Sequence, residues 1–212
     1  MNIVFIGASG CGKGTQAKLL ATKHNFCHIS MGDLLREFMK SGTTLGNQVA
    51  EIVNNGKLVP TELTIKLLEE KIGTLPKDQG IILDGFPRSL EQAEALRLPV
   101  DLVIVFKNDV NKLVARLVNR RTCAKCGNIF NLLSDGNLDK CPACGGELTM
   151  RKDDQEEAIK SRFAFYNQST LPLVEYYKAR TLVKEVDADK TKDEVLAQIE
   201  GIINQYDKNI KK

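Results

Sequence analysis

The segment that most constrains this chain lies near its start. An apolar run, Ile3–Ile6, is followed by Gly7-Ala8-Ser9-Gly10-Cys11-Gly12-Lys13-Gly14-Thr15 and then by a helical pattern over Gly14–Lys23. Strand, glycine-rich loop, lysine and helix in this order suit one task. The glycines let backbone N–H groups close around an anion, and the helix N-terminus adds partial positive charge. Gly10, Cys11, Gly12, Gly14 and Thr15 form that cradle, and Lys13 adds a point charge for outer phosphates. The strict pattern breaks at Gly14, where Ser or Thr would meet magnesium; Thr15 comes one residue later. Asp84, which ends the apolar run Ile81–Leu83, is the candidate to hold magnesium directly or through water. Its plain structural role would be to cap the turn before Phe86-Pro87.

A strand that feeds a helix through such a loop calls for a parallel sheet, and the rest of the chain repeats the alternation. Short apolar, β-branched runs at Cys27–Ile29, Ile81–Leu83, Leu102–Phe106 and Leu182–Val186 read as buried parallel strands. Helical patterns separate them at Thr61–Lys71, Leu90–Arg97, Val110–Arg121 and Asp154–Arg180, with Pro172 expected to bend or break the last. Ser89-x-x-Gln92 and Thr191-x-x-Glu194 fit the capping box. The expected fold is α/β, a parallel five-stranded sheet covered by helices on both faces. Two segments interrupt it: residues 30–59 read as an all-helical insert, and residues 119–154 carry little helical periodicity.

Composition narrows the function classes. With 42% hydrophobic residues the chain can build a packed core, and a net charge of +3 is too small to argue for nucleic acid or an anionic membrane. No apolar run approaches a membrane span. MNIVFIG reads as a strand and not a signal peptide, so a reducing, cytoplasmic setting is expected. The six cysteines are therefore read as thiols or metal ligands.

Four of those cysteines, Cys123, Cys126, Cys141 and Cys144, form C-x2-C-x14-C-x2-C, with glycine after Cys126 and Cys144. Two such knuckles fit tetrahedral zinc. The metal could do chemistry, read nucleic acid, or hold a flap together. Four thiolates leave no open position for substrate or water, which argues against chemistry. Between Thr122 and Met150 two lysines face three carboxylates, the wrong sign for a nucleic-acid backbone. A flap of about 35 residues is too small to fold unaided, and a zinc staple fits best. Cys27 reads as strand core.

GKGTQA, SMGDLLR, NGKLVP, LDGFPRSLEQAE, ARLVNRR and RKDDQEEAIKSR resemble the motifs of adenylate kinases, in order and over nearly the whole chain. The resemblance implies a P-loop core (1–29, 60–118 and 155–212), an AMP-binding insert (30–59) and a mobile lid (119–154). It also implies the magnesium-dependent reaction ATP + AMP ⇌ 2 ADP and a monomer. Adenylate kinases with a zinc-binding lid form a branch of the family, although the spacing here is two residues shorter than expected for it. No acid–base pair stands out, and none is needed. The acceptor would be a phosphate with a second pKa of about 6, already mostly ionised at neutral pH. Bringing two polyanions together does require fixed cations, for which arginine is suited.

The family's binding residues map onto this chain one by one. Lys13, Arg88, Arg120, Arg151 and Arg162 would act on the transferring phosphate. Arg116 and Arg120, four apart on one helical run and so expected on one face, would contact ATP, together with Ile129, Phe130 and Lys190. Arg36 and Arg88 would take the AMP phosphate as Arg151 and Arg162 close in. Lys57, Leu58 and Val59 with Gly85, Phe86 and Pro87 would lie against AMP, and Gln92 would read adenine. Gln92 is also the third helical position of its capping box. Met31 stands where threonine is common and points either at the base or into the insert's own core. Asp153 and Asp154 would cap a helix, orient arginines or form a hinge. Arg97, Arg121 and Arg180 read as solvated surface charge. The alternatives are a UMP/CMP-type kinase, disfavoured by Ser89 where asparagine is usual, and a zinc-ribbon P-loop protein that binds nucleic acid.

Overall fold

The computed structural model describes the backbone of residues 1–210 and the side chains through Tyr206. In chain order the elements begin β1 (Asn2–Ile6), α1 (Lys13–His24), β2 (Cys27–Ser30), α2 (Met31–Met39), α3 (Thr44–Asn54) and α4 (Thr61–Gly73). They continue with β3 (Ile81–Asp84), α5 (Leu90–Ala95), β4 (Leu102–Lys107) and α6 (Val110–Val118). Then come β5 (Arg120–Cys123), β6 (Ile129–Asn131), β7 (Leu148–Thr149), α7 (Glu156–Phe165), α8 (Pro172–Lys178), β8 (Val183–Asp187) and α9 (Lys192–Ile210).

Five strands form the expected parallel sheet in the order β2-β3-β1-β4-β8. The strands are apolar at successive positions because both faces are covered. Ile3 and Phe5 of β1 pack with α1, α6 and α9 through Leu20, Leu113 and Ile199. Val4 and Ile6 pack on the other side with α2, α4 and α8 through Leu35, Leu68 and Leu173. Since β1 is flanked by β3 and β4, the chain leaves it in one direction and returns on the other side. Such a switch opens a crevice at the carboxyl ends of the strands. The P-loop after β1 and Asp84 at the end of β3 both sit there.

The 30–59 insert consists of α2 and α3. The 119–154 segment folds as a small antiparallel sheet in the order β6-β5-β7. Among the described residues no helix is long and apolar enough to cross a membrane.

Several elements differ from the sequence reading. The helix expected to reach Arg121 stops at Val118; Asn119 caps it, its N–H bonding Ala115 O at 3.2 Å. Arg120 then enters β5, where it pairs with Asn131. Arg116 and Arg120 thus do not share a helix face. The run over Asp154–Arg180 is broken into a 3₁₀ turn, α7, a π-helical turn at Tyr166–Thr170 and α8. The break lies just ahead of Pro172, where Leu171 N reaches back to Tyr166 O at 2.8 Å. Pro172 itself starts α8, a position where its missing N–H costs nothing. Leu90–Arg97 ends early, at Ala95. The box at Thr191 forms in full, with Glu194 N on Thr191 Oγ1 at 3.3 Å and Thr191 N on Glu194 Oε2 at 2.9 Å. The box at Ser89 forms by half: Ser89 Oγ accepts from Gln92 N at 3.3 Å, but the Gln92 side chain turns elsewhere.

Candidate active site

One cavity of about 680 Å³ runs from the P-loop to the 30–59 insert. At the P-loop end, Gly12 precedes α1 with φ +97°, a left-handed conformation that glycine adopts without strain. No side chain caps α1, so the N–H groups of its first turn remain for an anion at the cavity wall. Lys13 Nζ donates to the loop's own carbonyls, Gly7 O at 2.7 Å and Ala8 O at 3.0 Å. Gly14 is pressed against Asp84: a Cβ there would stand 3.1 Å from Asp84 Oδ2. This close approach favours a residue without a side chain after Lys13. A serine or threonine would require the carboxylate to give way by a few tenths of an ångström.

Asp84 is ionised in this setting. Burial pushes its carboxyl up, but the His28 hydrogen bond and the charges of Lys13, His28 and Arg88 hold it below the ordinary carboxylate range. His28 Nε2 lies 3.4 Å from Asp84 Oδ2. Asp84 and the Thr15 hydroxyl are hard oxygen donors at the phosphate end of the cavity, and so fit magnesium.

Each of the guanidinium groups is held by a partner. Arg88 Nε donates to Gly85 O at 2.8 Å. Arg36 pairs with Asp33 at 2.6 Å, and Arg151 Nε donates to Thr122 Oγ1 at 2.9 Å. Arg120 grips Asp154 through Nε and Nη2, and Arg162 Nη1 donates to Asp153 Oδ2 at 2.8 Å. Asp153 and Asp154 therefore orient arginines; α7 has no side-chain cap. Burial draws the pKa of Arg162 down to about 10 despite Asp153, with Arg120 and Arg88 adding like charge. Arg151 is drawn down to about 10 as well, by burial and then by Arg120 and Arg36. This is a cationic cluster short of anions, as a phosphate-binding site should be before its ligand arrives.

The cavity wall includes Gly10, Cys11, Gly12, Lys13, Gly14, Thr15, Arg116, Arg120, Ile129, Phe130 and Lys190 on the proposed ATP side. Of the residues expected around AMP it includes Met31, Arg36, Lys57, Leu58, Val59, Gly85, Arg88 and Gln92, and it also includes Asp84, Arg151 and Arg162. Phe86 and Pro87 are not brought to it. Phe86 is 1% exposed in the apolar core, and Pro87 borders a smaller hollow of about 50 Å³. Met31 borders the cavity while packing at 2% exposure in the apolar cluster that holds Leu35, Val49 and Val59. The three arginines left out of the site are elsewhere: Arg97 near Glu69, Arg121 on Val118 O and Arg180 over the Tyr176 ring.

Residues not anticipated from the sequence also shape the site. Asp33 and His28 hold Arg36 and Asp84. Asn131 Nδ2 donates to Arg116 O at 3.0 Å, and Lys18 Nζ to Gly127 O at 3.0 Å, which seats the 119–154 segment on α6 and α1. Helical spacing brings Asp33 to Arg36, three residues on along α2, whereas the His28, Lys18 and Asn131 contacts join separate elements that no spacing rule links.

Cys123, Cys126, Cys141 and Cys144 converge with all four sulfurs within 4.8 Å of one another. Cys123 Sγ lies 3.5 Å from Cys144 Sγ, and Cys126 Sγ 3.6 Å from Cys141 Sγ. A tetrahedral ion with ligands at about 2.3 Å places its sulfurs about 3.8 Å apart, so the cluster fits zinc. The Cys126 backbone N–H above all brings the Cys123 thiol down to about 6, while Cys144, although the Gly146 N–H lowers it, is pushed up to about 12 by its neighbouring thiols, Cys126 first, because the sulfurs crowd one site.

A parallel sheet switching direction at a phosphate loop, with arginines across the cavity from it, defines a P-loop nucleotide-binding protein of the phosphotransferase kind. The comparisons narrow this class. The family model described as Adenylate kinase matches residues 5–182. The adenylate kinase of Elusimicrobium minutum is 44% identical over 214 residues, covering 97% of this chain and 99% of that protein. Those of Fervidobacterium nodosum and Archaeoglobus fulgidus are each 40% identical, covering 98% and 97% of this chain and 100% and 99% of theirs. The chain belongs to the adenylate kinase family.

Proposed function

We propose that this chain catalyses reversible transfer of the terminal phosphoryl group of ATP to AMP, giving two ADP. The observation that carries this reading is one cavity whose wall takes in the N-terminus of α1 with Lys13, Arg36 and the 30–59 insert, and Arg88, Arg120, Arg151 and Arg162. ATP would lie on the P-loop with Arg116, Ile129, Phe130 and Lys190 around it. AMP would lie in the insert, its phosphate on Arg36 and Arg88 and its base by Gln92. The residues named on the AMP side are those on the cavity wall, with Phe86 and Pro87 shaping it from behind.

The chemistry asked of the protein is positioning and charge compensation. An acceptor phosphate oxygen, ionised at neutral pH, attacks in line, and the arginines stabilise charge on the group in flight. Asp84, directly or through water, and Thr15 would hold magnesium, which would supply positive charge to offset that of the phosphates. The 119–154 segment would act as a lid and the 30–59 segment as the AMP flap, both moving on a core of 1–29, 60–118 and 155–212. Zinc on the four cysteines would keep the lid one rigid body and take no part in transfer. The same reading makes the protein a cytoplasmic monomer without a nucleic-acid partner.

The test is a coupled assay with ATP and magnesium, offering AMP, CMP, UMP and GMP in turn. AMP is expected to be the best acceptor by kcat/KM. A preference for CMP or UMP would move the chain to the pyrimidine kinases, and no transfer to any monophosphate would defeat the proposal.

A further inference from the structure

Gln92 is 1% exposed yet borders the cavity, so the way its amide faces decides what it offers a ligand. Two neighbours fix that direction. Arg88 N–H, which can only donate, meets Gln92 Oε1 at 2.8 Å. On the other side Gln92 Nε2 stands 3.5 Å from the hydroxyl of Thr64, itself 1% exposed and on the cavity wall. That hydroxyl has a single proton, and Thr61 O takes it at 2.8 Å. Toward Gln92 it presents only lone pairs. Turning the amide over would set carbonyl against lone pair at Thr64 and N–H₂ against N–H at Arg88, two repulsive contacts on a side chain only 1% exposed.

We infer that Thr64 is a specificity-determining residue, which fixes the polarity of the Gln92 amide so that the cavity accepts a 6-aminopurine monophosphate and rejects a 6-oxopurine one. With both neighbours in place the amide keeps one N–H and one lone pair for the cavity, in a fixed order. The adenine edge carries a donor at the 6-amino group and an acceptor at N1. Hypoxanthine and guanine carry the inverse, an acceptor at O6 and a donor at N1. An amide free to turn could match either pattern, whereas one that cannot turn matches one of them. This inference rests on the proposed AMP site and adds to it the residue that sets the choice of base.

The test compares kcat/KM for AMP and inosine monophosphate, which differ at this edge, in wild type, Thr64→Val, Thr64→Ala and Thr64→Ser. Losing the hydroxyl removes one of the two constraints, so the AMP preference should fall on the order of tenfold in the valine and alanine variants, one hydrogen bond's worth. Serine keeps the hydroxyl and should keep the preference. Thermal melting of each variant runs alongside. A purely structural Thr64 would lower stability, or both kcat/KM values together, and leave their ratio alone. An unchanged ratio in the valine and alanine variants, with the wild type active on AMP, would overturn the role of Thr64 while sparing the proposed function. A wild type with no activity on AMP would bring down both.

Discussion

Arg120 reaches across the base of the 119–154 segment to Asp154, its Nε donating to Oδ2 at 2.7 Å while Nη2 meets Oδ1. One residue enters the 119–154 segment and the other leaves it, so the pair ties the two ends together. The Asp154 side chain is fully buried, and its Oδ1 also receives Arg162 Nη1 at 3.3 Å. Asp154→Ala would leave two buried guanidinium groups without this partner. Breaking a buried pair from one side costs about 3–5 kcal/mol. Urea unfolding of the variant should show a loss of that order; a loss below about 1 kcal/mol would mean that the pair is solvated or replaceable.

Arg88 is held for action by Gly85 O, and burial lowers its pKa against the opposing charges of Asp84 and Asp153. A cation so placed is expected to act mainly in the transition state. Arg88→Ala should lower kcat by about 10³-fold or more, as loss of an arginine on a transferring phosphoryl group does elsewhere. Near-normal turnover in this variant would remove Arg88 from the mechanism.

Zinc should copurify at one ion per chain, detected by elemental analysis. The Cys123→Ser, Cys126→Ser double variant should melt well below wild type while keeping most of its activity in the cold, because four thiolates close the shell and none of the four cysteines lines the cavity. A folded, stable but inactive variant would contradict a purely structural metal.

Acid should unfold the protein through its buried carboxylates. Burial pushes Asp153 up, but Arg162, Arg36, Arg120 and Arg151 hold its pKa below the ordinary 3.8. Asp84 is likewise held down. A depressed folded-state pKa contributes stability that is fully present above the unfolded value and lost as pH falls through the folded one. Stability should therefore change little from these groups between about pH 7 and 5 and fall below about pH 4. Asp153→Asn should flatten the acid limb in urea midpoints measured against pH; an unchanged slope would assign the acid sensitivity elsewhere.

The sheet was legible because apolar, β-branched strands buried on both faces write themselves as continuous runs, as in Leu102–Phe106. The P-loop and the cysteine knuckles were legible because their chemistry depends on local spacing. What escaped was set by distant contacts. Arg120 has a helical neighbourhood in sequence, yet pairing with Asn131 takes it into β5. Gln92 reads as the third residue of a capping box, yet Arg88 N and Thr64 capture its amide. Phe86 sits inside a binding motif, yet its size sends it to the core. Met31 could not be settled by sequence, since one residue serves both the insert's packing and the cavity wall.

The most direct measurement supplies purified protein, magnesium and ADP alone, and follows all three adenine nucleotides by chromatography. A cavity that holds one nucleotide on the P-loop and another in the insert should convert ADP to equal amounts of ATP and AMP, and stop at an equilibrium that ATP and AMP reach from the other side. ADP that stays unchanged, or that yields AMP and phosphate without ATP, would contradict phosphoryl transfer between two bound nucleotides.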